Sequence, residues 1–408
     1  MSAPEREYAV VLFGATGFAG TQAVRYLHLH APAGLRWAIA GRNPAKLEAL
    51  AAARGLSPEV GRIVADSEDP ASVARMAAQT RVLASTAGPF ARFGDPVVEA
   101  CVEAQTDYVD ITGETPWVRT LIDRFHERAQ REGTRIVPLC GLDSVPSDLG
   151  TFALASWIRE EWGQATRRVQ AGFSMGRAGL NGGTLASALY MAESGQARRL
   201  GDTLLLNPKA RKTPAERARS KDRRSVDYDP DFGRWLAPFV MAPVNTRVVR
   251  RSNALLAEGG AAYGPEFAYA EALETKRRRN ALGVAAMAGF GNKALGSPFL
   301  RRAIKRFAPK PGEGPSEEQM ASGWFRCRLV GEAEDGRKAL ATFAAPGDPG
   351  NRSTVRMLCE SAFCLALERD ALPTTAGAGG LLTPATAFGS VLVRRLQAQE
   401  TTISVAPL

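Results

Sequence analysis

Three glycines spaced three apart, Gly14, Gly17 and Gly20, lie in the stretch VVLFGATGFAG. An apolar run, Ala9–Phe13, leads in, and a helix-like run, Thr21–His30, leads out. A strand that feeds a glycine-rich turn into a helix aims backbone N–H groups and the positive helix end at one point. A phosphate is the natural occupant of that point, and glycine lets a pyrophosphate come close to the backbone. The G-x-x-G-x-x-G spacing is a variant of the G-x-G-x-x-G fingerprint. Alone it is weak, since glycine turns also occur as plain left-handed corners. Its position after the first strand of a βαβ unit gives it weight.

The end of the second strand sharpens the chemistry. An unphosphorylated dinucleotide usually meets an acid there, about 20 residues on, for its ribose hydroxyls. This chain reads AGRN instead, with Arg42 in the acid's place, Asn43 beside it and Lys46 one turn later. A guanidinium pairs with a 2′-phosphate, and no carboxylate is left to repel it. A merely solvated arginine is the alternative; the pattern favours NADPH. The fourth strand ends in STAGPFARFG. Ligands of parallel sheets bind outside the carboxyl ends of the strands. Ser85, Thr86, Ala87, Gly88, Pro89 and Phe90 are therefore expected along the dinucleotide, unless Gly88-Pro89 is only a loop corner.

Acid–base groups follow the next two strands. Tyr108, Asp110 and Glu114 stand after the fifth, and Asp143, Ser144 and Ser147 after the sixth. Each is a weak candidate for a proton source or oxyanion donor. Tyr108 could equally pack in its strand, and Ser147 could cap a helix. Gly113 and Gly141 would let backbone N–H groups approach a substrate. A Tyr-x-x-x-Lys pair is not evident.

The elements that must position these groups alternate. After the first strand and helix come strand 36–40, helix 44–53 with Asn43 as N-cap and Pro44 at its first position, strand 61–65, helix 69–78, and strand 81–86. Helix 96–104, strand 107–111, helix 116–131 and strand 134–139 complete the pattern. Such alternation predicts a Rossmann-type, doubly wound parallel sheet. From about Ser147 it stops. Helix 147–162, strand 168–175, the turn GRAGLNGGT, helix 184–199, strands 266–273 and 323–331, and a hairpin at Asp335-Gly336 into 338–343 follow. Helices 353–368 and 384–397 close the chain. This mixed order predicts a C-terminal α+β domain on a mostly antiparallel sheet. The expected division is 1–146 for NADP binding, 147–375 for substrate or oligomerisation, and 376–408 as a C-terminal helix and strand packing back on the NADP-binding domain.

Composition bounds the class. The 408 residues are 45% hydrophobic and 23% charged, as for an ordinary soluble core. No apolar leader precedes the first strand and no run of about 18 apolar residues occurs, so a cytoplasmic protein is expected. The five cysteines are scattered, which fits buried, reduced thiols. His28 and His30, two apart, point to different sides of a helix, and with His126 they suggest no metal site.

The net charge of +10 is concentrated. Lys276, Arg277, Arg278, Arg279, Lys293, Arg301, Arg302, Lys305, Arg306 and Lys310 follow one another with no acid between. Apolar residues interleave them, and Gly283, Gly289, Gly291, Gly296 and Pro298 argue against one continuous helix. A solvated cover, a peripheral membrane contact and a docking face for an acidic carrier protein all remain open for 276–310. Nucleic acid is poorly supported, since few aromatics interleave the cations. A second basic run, Lys209–Ser225, is expected to be exposed. A homodimer is left open.

GATGFAG, AGRN, STAGPFARFG, DYVDITGE and GLDSVPSDLG, in this order, resemble the saccharopine dehydrogenase-like oxidoreductases, and within them the trans-acting enoyl reductases of actinobacterial polyketide-lipid assembly. PKPGEGPSEEQMASGWFRCRLVG and GGLLTPATAFGSVLVRRL extend the resemblance over nearly the whole chain. It implies that Gly14, Ala15, Thr16, Gly17 and Phe18 form the dinucleotide loop, that Arg42 takes the adenosine phosphate, and that Gly88, Pro89 and Phe90 lie near the nicotinamide. It transfers no proton donor. It also implies that the last 30 residues return to the nucleotide domain. The activity implied is NADPH-dependent reduction of an enoyl thioester, carried on a carrier protein or coenzyme A. Two alternatives stand beside it. One is an amino-acid oxidoreductase of saccharopine type, with Arg92 and Arg177 as carboxylate clamps. The other is a non-catalytic NADPH-binding protein at a lipid surface.

Overall fold

The computed structural model describes residues 6–176, 182–307 and 312–408. The first half runs β1 (Tyr8–Phe13), α1 (Phe18–His30), β2 (Trp37–Gly41), α2 (Pro44–Arg54), β3 (Gly61–Val64), α3 (Pro70–Ala78) and β4 (Thr80–Ser85). A short helical turn α4 (Phe90–Phe93), then α5 (Asp95–Glu103), β5 (Asp107–Asp110), α6 (Thr115–Glu132), β6 (Arg135–Val137) and α7 (Val145–Trp162) complete it. The second half runs β7 (Thr166–Met175), α8 (Gly182–Glu193), α9 (Pro214–Arg219), β8 (Asp227–Asp229), β9 (Arg234–Pro238), α10 (Ala242–Glu258) and β10 (Ala268–Thr275). It continues through α11 (Arg278–Gly296), α12 (Pro298–Phe307), α13 (Glu317–Ser322), β11 (Trp324–Ala333) and β12 (Lys338–Pro346). The last elements are α14 (Thr354–Leu367), β13 (Gly380–Leu381), α15 (Pro384–Gln397) and β14 (Thr402–Pro407).

The first sheet has seven parallel strands in the order β3-β2-β1-β4-β5-β6-β13. Chain direction across it reverses between β1 and β4, and a crevice opens at such a switch point. The alternating side chains of β1 serve both faces. Val10 and Leu12 join the core that holds α1, α2, α7, α14 and α15, while Val11 and Phe13 join the one under α3, α5 and α6. Both faces are therefore dry, as a parallel sheet requires.

The second sheet runs β14-β12-β11-β7-β10-β9-β8. Only β7 and β10 pair in parallel; every other neighbour is antiparallel. Its hairpin turns at Asp335-Gly336, where Gly336 has φ of 87°, the left-handed geometry glycine tolerates. The doubly wound parallel sheet and the mostly antiparallel second sheet are the fold class the sequence predicts.

Several expectations need correction. Helix α7 begins at Val145, so Ser147 lies inside it and does not cap it. Ser147 instead donates to Glu271 at 2.9 Å. The run 209–225 is not simply exposed: Lys212 donates to Asp202 and to the Leu205 carbonyl, both at 3.2 Å, and Ser220 is buried. Asp222 accepts from Arg247 at 2.5 Å and Arg250 at 3.2 Å. Those buried α10 cations need a carboxylate, which holds the run against the fold. As expected, 276–310 is not one continuous helix, although glycines 283, 289 and 291 sit within α11; the break falls at Ser297-Pro298. Pro298 breaks it because it lacks the N–H that would continue the ladder. The last 30 residues serve both sheets: β13 pairs with β6 in the first, and β14 with β12 in the second. All five cysteines are buried and unpaired. No helix among the described residues is long and apolar enough to cross a membrane.

Candidate dinucleotide and reduction site

Each glycine of the opening turn has its own reason. Gly14 has φ of +83°, and a Cβ there would come within 2.8 Å of the Ala87 nitrogen. Gly20 presses on the turn: a Cβ would lie 2.1 Å from the Gly14 carbonyl oxygen. Gly17 is different, since a Cβ there would meet only the Gly14 oxygen, at 3.3 Å. Gly14 and Gly20 thus satisfy internal packing, while Gly17 leaves space on the open side. Gly17 is also the N-cap of α1, with no side-chain cap on the first-turn N–H groups. An uncapped helix start beside open space fits a pyrophosphate.

Thr86 ties the next wall to this turn, its hydroxyl lying 3.2 Å from the Phe13 carbonyl oxygen and 3.1 Å from that of Gly14. Thr16, Gly17, Phe18, Thr86, Ala87, Gly88 and Pro89 are all partly or fully exposed along the crevice. Ala15, Ser85 and Phe90 are buried behind it as supports. Arg42 is exposed at the rim where β2 ends. Asn43 caps α2, accepting from the Lys46 N–H at 3.0 Å, as expected of an N-cap.

The acid–base candidates separate by environment. Tyr108 is fully buried and donates to Asp110 at 2.9 Å. Asp110 also accepts the Thr112 and Leu139 N–H groups, each at 3.0 Å, and burial pushes its carboxyl up to about 7. This pair ties two loops together inside the fold and does not reach the crevice. Glu114 is likewise buried; its two oxygens accept the Phe90 and Ala91 N–H groups, each at 2.9 Å. Burial raises its carboxyl, against the pull of those donors and of the Ser187 hydroxyl. Glu114 therefore positions the Gly88–Phe90 segment. Ser144 is buried, and its hydroxyl finds no partner among the described residues.

Asp143 stands apart. It is half-buried, in the loop between β6 and α7, and forms no hydrogen bond or ion pair with any described residue. Burial alone pushes its carboxyl up to about 6. A Cβ on Gly113 would lie 3.7 Å from its Oδ2, so the β5 and β6 loops meet there. The Gly113 N–H makes no backbone hydrogen bond with any described residue.

The second half supplies a wall that the sequence reading missed. Ser187, on α8, hydrogen-bonds Glu114, and its hydroxyl lies 3.8 Å from where a Gly88 Cβ would be. The Gly182 N–H donates to the Glu313 carbonyl at 3.0 Å. Gly314 packs so closely on the Phe18 ring that a Cβ would come within 2.4 Å of it. Glu317 clasps this loop to α1, accepting from Gln22 at 3.2 Å and Arg25 at 3.1 Å. PKPGEGPSEEQ and GGTLASAL held the residues, but nothing in their spacing tells that they fold over the glycine turn. Arg92 is exposed over the Phe93 ring, and Arg177 lies outside the described residues.

Residues 10–137 match the saccharopine dehydrogenase NADP binding domain. Over its full length, the chain superposes on the apo saccharopine dehydrogenase (L-Glu forming) of Saccharomyces cerevisiae. The TM-score is 0.51 with 15% identity, covering 98% of this chain and 99% of that one. The protein is an NADP-dependent oxidoreductase with the saccharopine dehydrogenase fold, and its cofactor is NADPH. A trans-acting enoyl reductase of Mycobacterium ulcerans is 38% identical over 428 residues, covering 100% of both chains. One of Mycobacterium tuberculosis is 36% identical over 413 residues, covering 97% of both. The chain belongs to the family of trans-acting enoyl reductases.

Proposed function

We propose that the protein reduces the activated C=C bond of an enoyl thioester whose acyl chain is built by another enzyme. The observation that carries this reading is Asp143, a half-buried carboxylate in the β6–α7 loop beside Gly113 that forms no hydrogen bond or ion pair with any described residue. Bound NADPH supplies a hydride, delivered to the β carbon of the conjugated thioester. The α carbon must then gain a proton, and the thioester oxygen carries negative charge meanwhile.

Residues of the chain account for both needs. The Gly14–Gly20 turn would hold the dinucleotide's pyrophosphate by backbone N–H groups, and Arg42 its 2′-phosphate by a guanidinium. Glu114 fixes the Gly88–Phe90 wall, against which a flat ring can lie. The protonated Asp143 carboxyl gives its proton to the α carbon, and its raised value suits a donor working near neutrality. The Gly113 N–H beside it can receive the thioester oxygen. The substrate would gain a hydride from the cofactor at the β carbon and a proton from Asp143 at the α carbon, which together saturate the C=C bond.

An amino-acid substrate would need cations converging on its carboxylates, and among the described residues Arg92 is turned onto Phe93. The test is NADPH consumption with a soluble trans-2-enoyl thioester, compared with a 2-oxo acid plus an amino acid. Turnover of the first alone supports the reading; turnover of the second alone contradicts it.

A further inference from the structure

The α11–α12 hairpin belongs to neither sheet, and its surface is unlike the rest of the molecule. Residues 276–310 carry ten Lys and Arg and no acid, equal to the +10 of the whole chain, so the remainder is formally neutral. Large apolar side chains stand off the same helices: Leu282 is 50% exposed, Met287 75%, Phe290 66% and Phe299 76%. Leu282, Ala286 and Phe290 follow at four-residue spacing, so they form one stripe along α11. Arg279 and Lys293, three residues outside its ends, flank that stripe. Arg277, Arg279, Lys293, Arg302 and Arg306 are exposed and pair with no carboxylate among the described residues. The inner side is anchored. Ala281 and Ala294 are buried, α11 packs on β9, β10 and α8, and Arg278 lies 5.7 Å over the Trp235 ring. Arg301 donates to the Leu295 carbonyl at 2.6 Å across the α11–α12 corner.

We propose that the α11–α12 hairpin seats the protein on an anionic lipid surface. Lipid is the occupant that accounts for both features together. Phenylalanine and methionine side chains enter the boundary between headgroups and acyl chains, while the cations meet lipid phosphates. A second copy of the chain would bring like charge against like charge. An acidic protein would match the cations and leave Met287, Phe290 and Phe299 without a role. The location adds a use, which rests on the reductase reading: α11 touches α8, and α8 carries Ser187 to the crevice. A long acyl chain held by the bilayer would thus meet the protein next to its site.

The experiment is flotation of the full-length protein with vesicles of phosphatidylcholine, alone or mixed with phosphatidylglycerol, at low and high salt. The protein is expected to float with the mixed vesicles at low salt and to be released by salt. Two variants are compared: Met287→Ser/Phe290→Ser/Phe299→Ser, and Arg277→Gln/Arg279→Gln/Arg302→Gln/Arg306→Gln. Each should lower partitioning at least about tenfold, given the free energy contributed by each lost cation or apolar side chain. NADPH affinity and turnover of a short soluble thioester should stay unchanged in both. Should either variant lose NADPH affinity, a Phe299→Trp variant replaces it, and its emission should shift to the blue on mixed vesicles. No flotation of the parent protein, equal flotation of the variants, or an unshifted Phe299→Trp spectrum overturns the proposal. So does salt-sensitive binding to an acidic carrier protein without flotation. Failure of the reductase reading would appear separately, as absent thioester turnover with flotation intact.

Discussion

The Glu114 carboxylate accepts the Phe90 N–H at 2.9 Å and so fixes the wall of the crevice from beneath. Glu114→Ala would leave the Phe90 and Ala91 N–H groups unpaired, at a cost of about 1–3 kcal/mol each if they stay buried. The loop is expected to shift. NADPH affinity and kcat should fall together, with a lower Tm. Glu114→Gln keeps one acceptor and should recover part of the loss. Isothermal titration and thermal unfolding of both variants check this. Unchanged NADPH affinity in Glu114→Ala would contradict the role.

On the proposed reading, Arg42 sets the choice of cofactor. Its charge-assisted pair with the 2′-phosphate is worth roughly 1.5–3 kcal/mol, about tenfold to a hundredfold in affinity. Arg42→Ala should weaken NADPH by that factor and leave NADH nearly unaffected. Equal losses for both in a titration would remove Arg42 from the phosphate site.

Two glycines of one turn should behave in opposite ways. A Cβ at Gly20 would fall 2.1 Å from the Gly14 oxygen, a backbone atom that cannot turn aside. Gly20→Ala should therefore destabilise the fold by several kcal/mol. Gly17 faces open space, so Gly17→Val should fold and lose NADPH. Circular dichroism with a cofactor titration separates them; a folded Gly17→Val that binds NADPH as tightly as the parent would place the phosphates elsewhere.

Buried carboxyls make stability depend on pH in a stated direction. Burial pushes both Asp110 and Glu271 up to about 7, so the native state holds protons that the unfolded chain has released. Stability from them is complete below their ordinary values and is lost as pH rises through about 7. Tm should thus fall from pH 5 to pH 8, and Glu271→Gln should flatten part of the fall. A Tm that rises over this interval would contradict the assignment.

The sequence makes the parallel sheet legible because its strands are short, apolar and bounded by glycine or proline, and Asn43-Pro44 marks a helix start by itself. Gly14, Gly17 and Arg42 are legible because a strand–turn–helix fixes where they point. The roof of the crevice is not. Ser187 and Gly314 come from segments about 170 and 300 residues away from the glycine turn, and no local periodicity encodes that contact. Strands β8 and β9 escape for a related reason, since Asp227–Asp229 has no apolar pattern, and the expected C-terminal strand does not reveal in sequence that it pairs with β12. Tyr108 and Asp143 look equivalent in sequence, as acid–base groups at the fifth and sixth strands of the first sheet. Burial separates them, since the Tyr108 hydroxyl is enclosed with Asp110 and the Asp143 carboxyl pairs with no described residue.

Asp143 should also leave a mark on the pH profile. A proton donor works in its acid form, so kcat/KM for an enoyl thioester should decline as pH rises above about 6. Asp143→Asn should lower the rate by roughly a hundredfold or more and remove that limb. A full-rate Asp143→Asn variant with an unaltered profile would assign the proton to another group.

The most direct test of the account follows the hydrogen itself. The protein is incubated with NADPH deuterated at the transferable C4 position and a soluble trans-2-enoyl thioester in ordinary water, and the saturated product is read by mass spectrometry and NMR. One deuterium per product at the β carbon, with ordinary hydrogen from solvent at the α carbon, is the result expected. The same label should be absent from product when Gly17→Val replaces the parent. A product without deuterium at the β carbon, or no saturated thioester from a protein that binds NADPH, would contradict reduction of an enoyl thioester at this crevice.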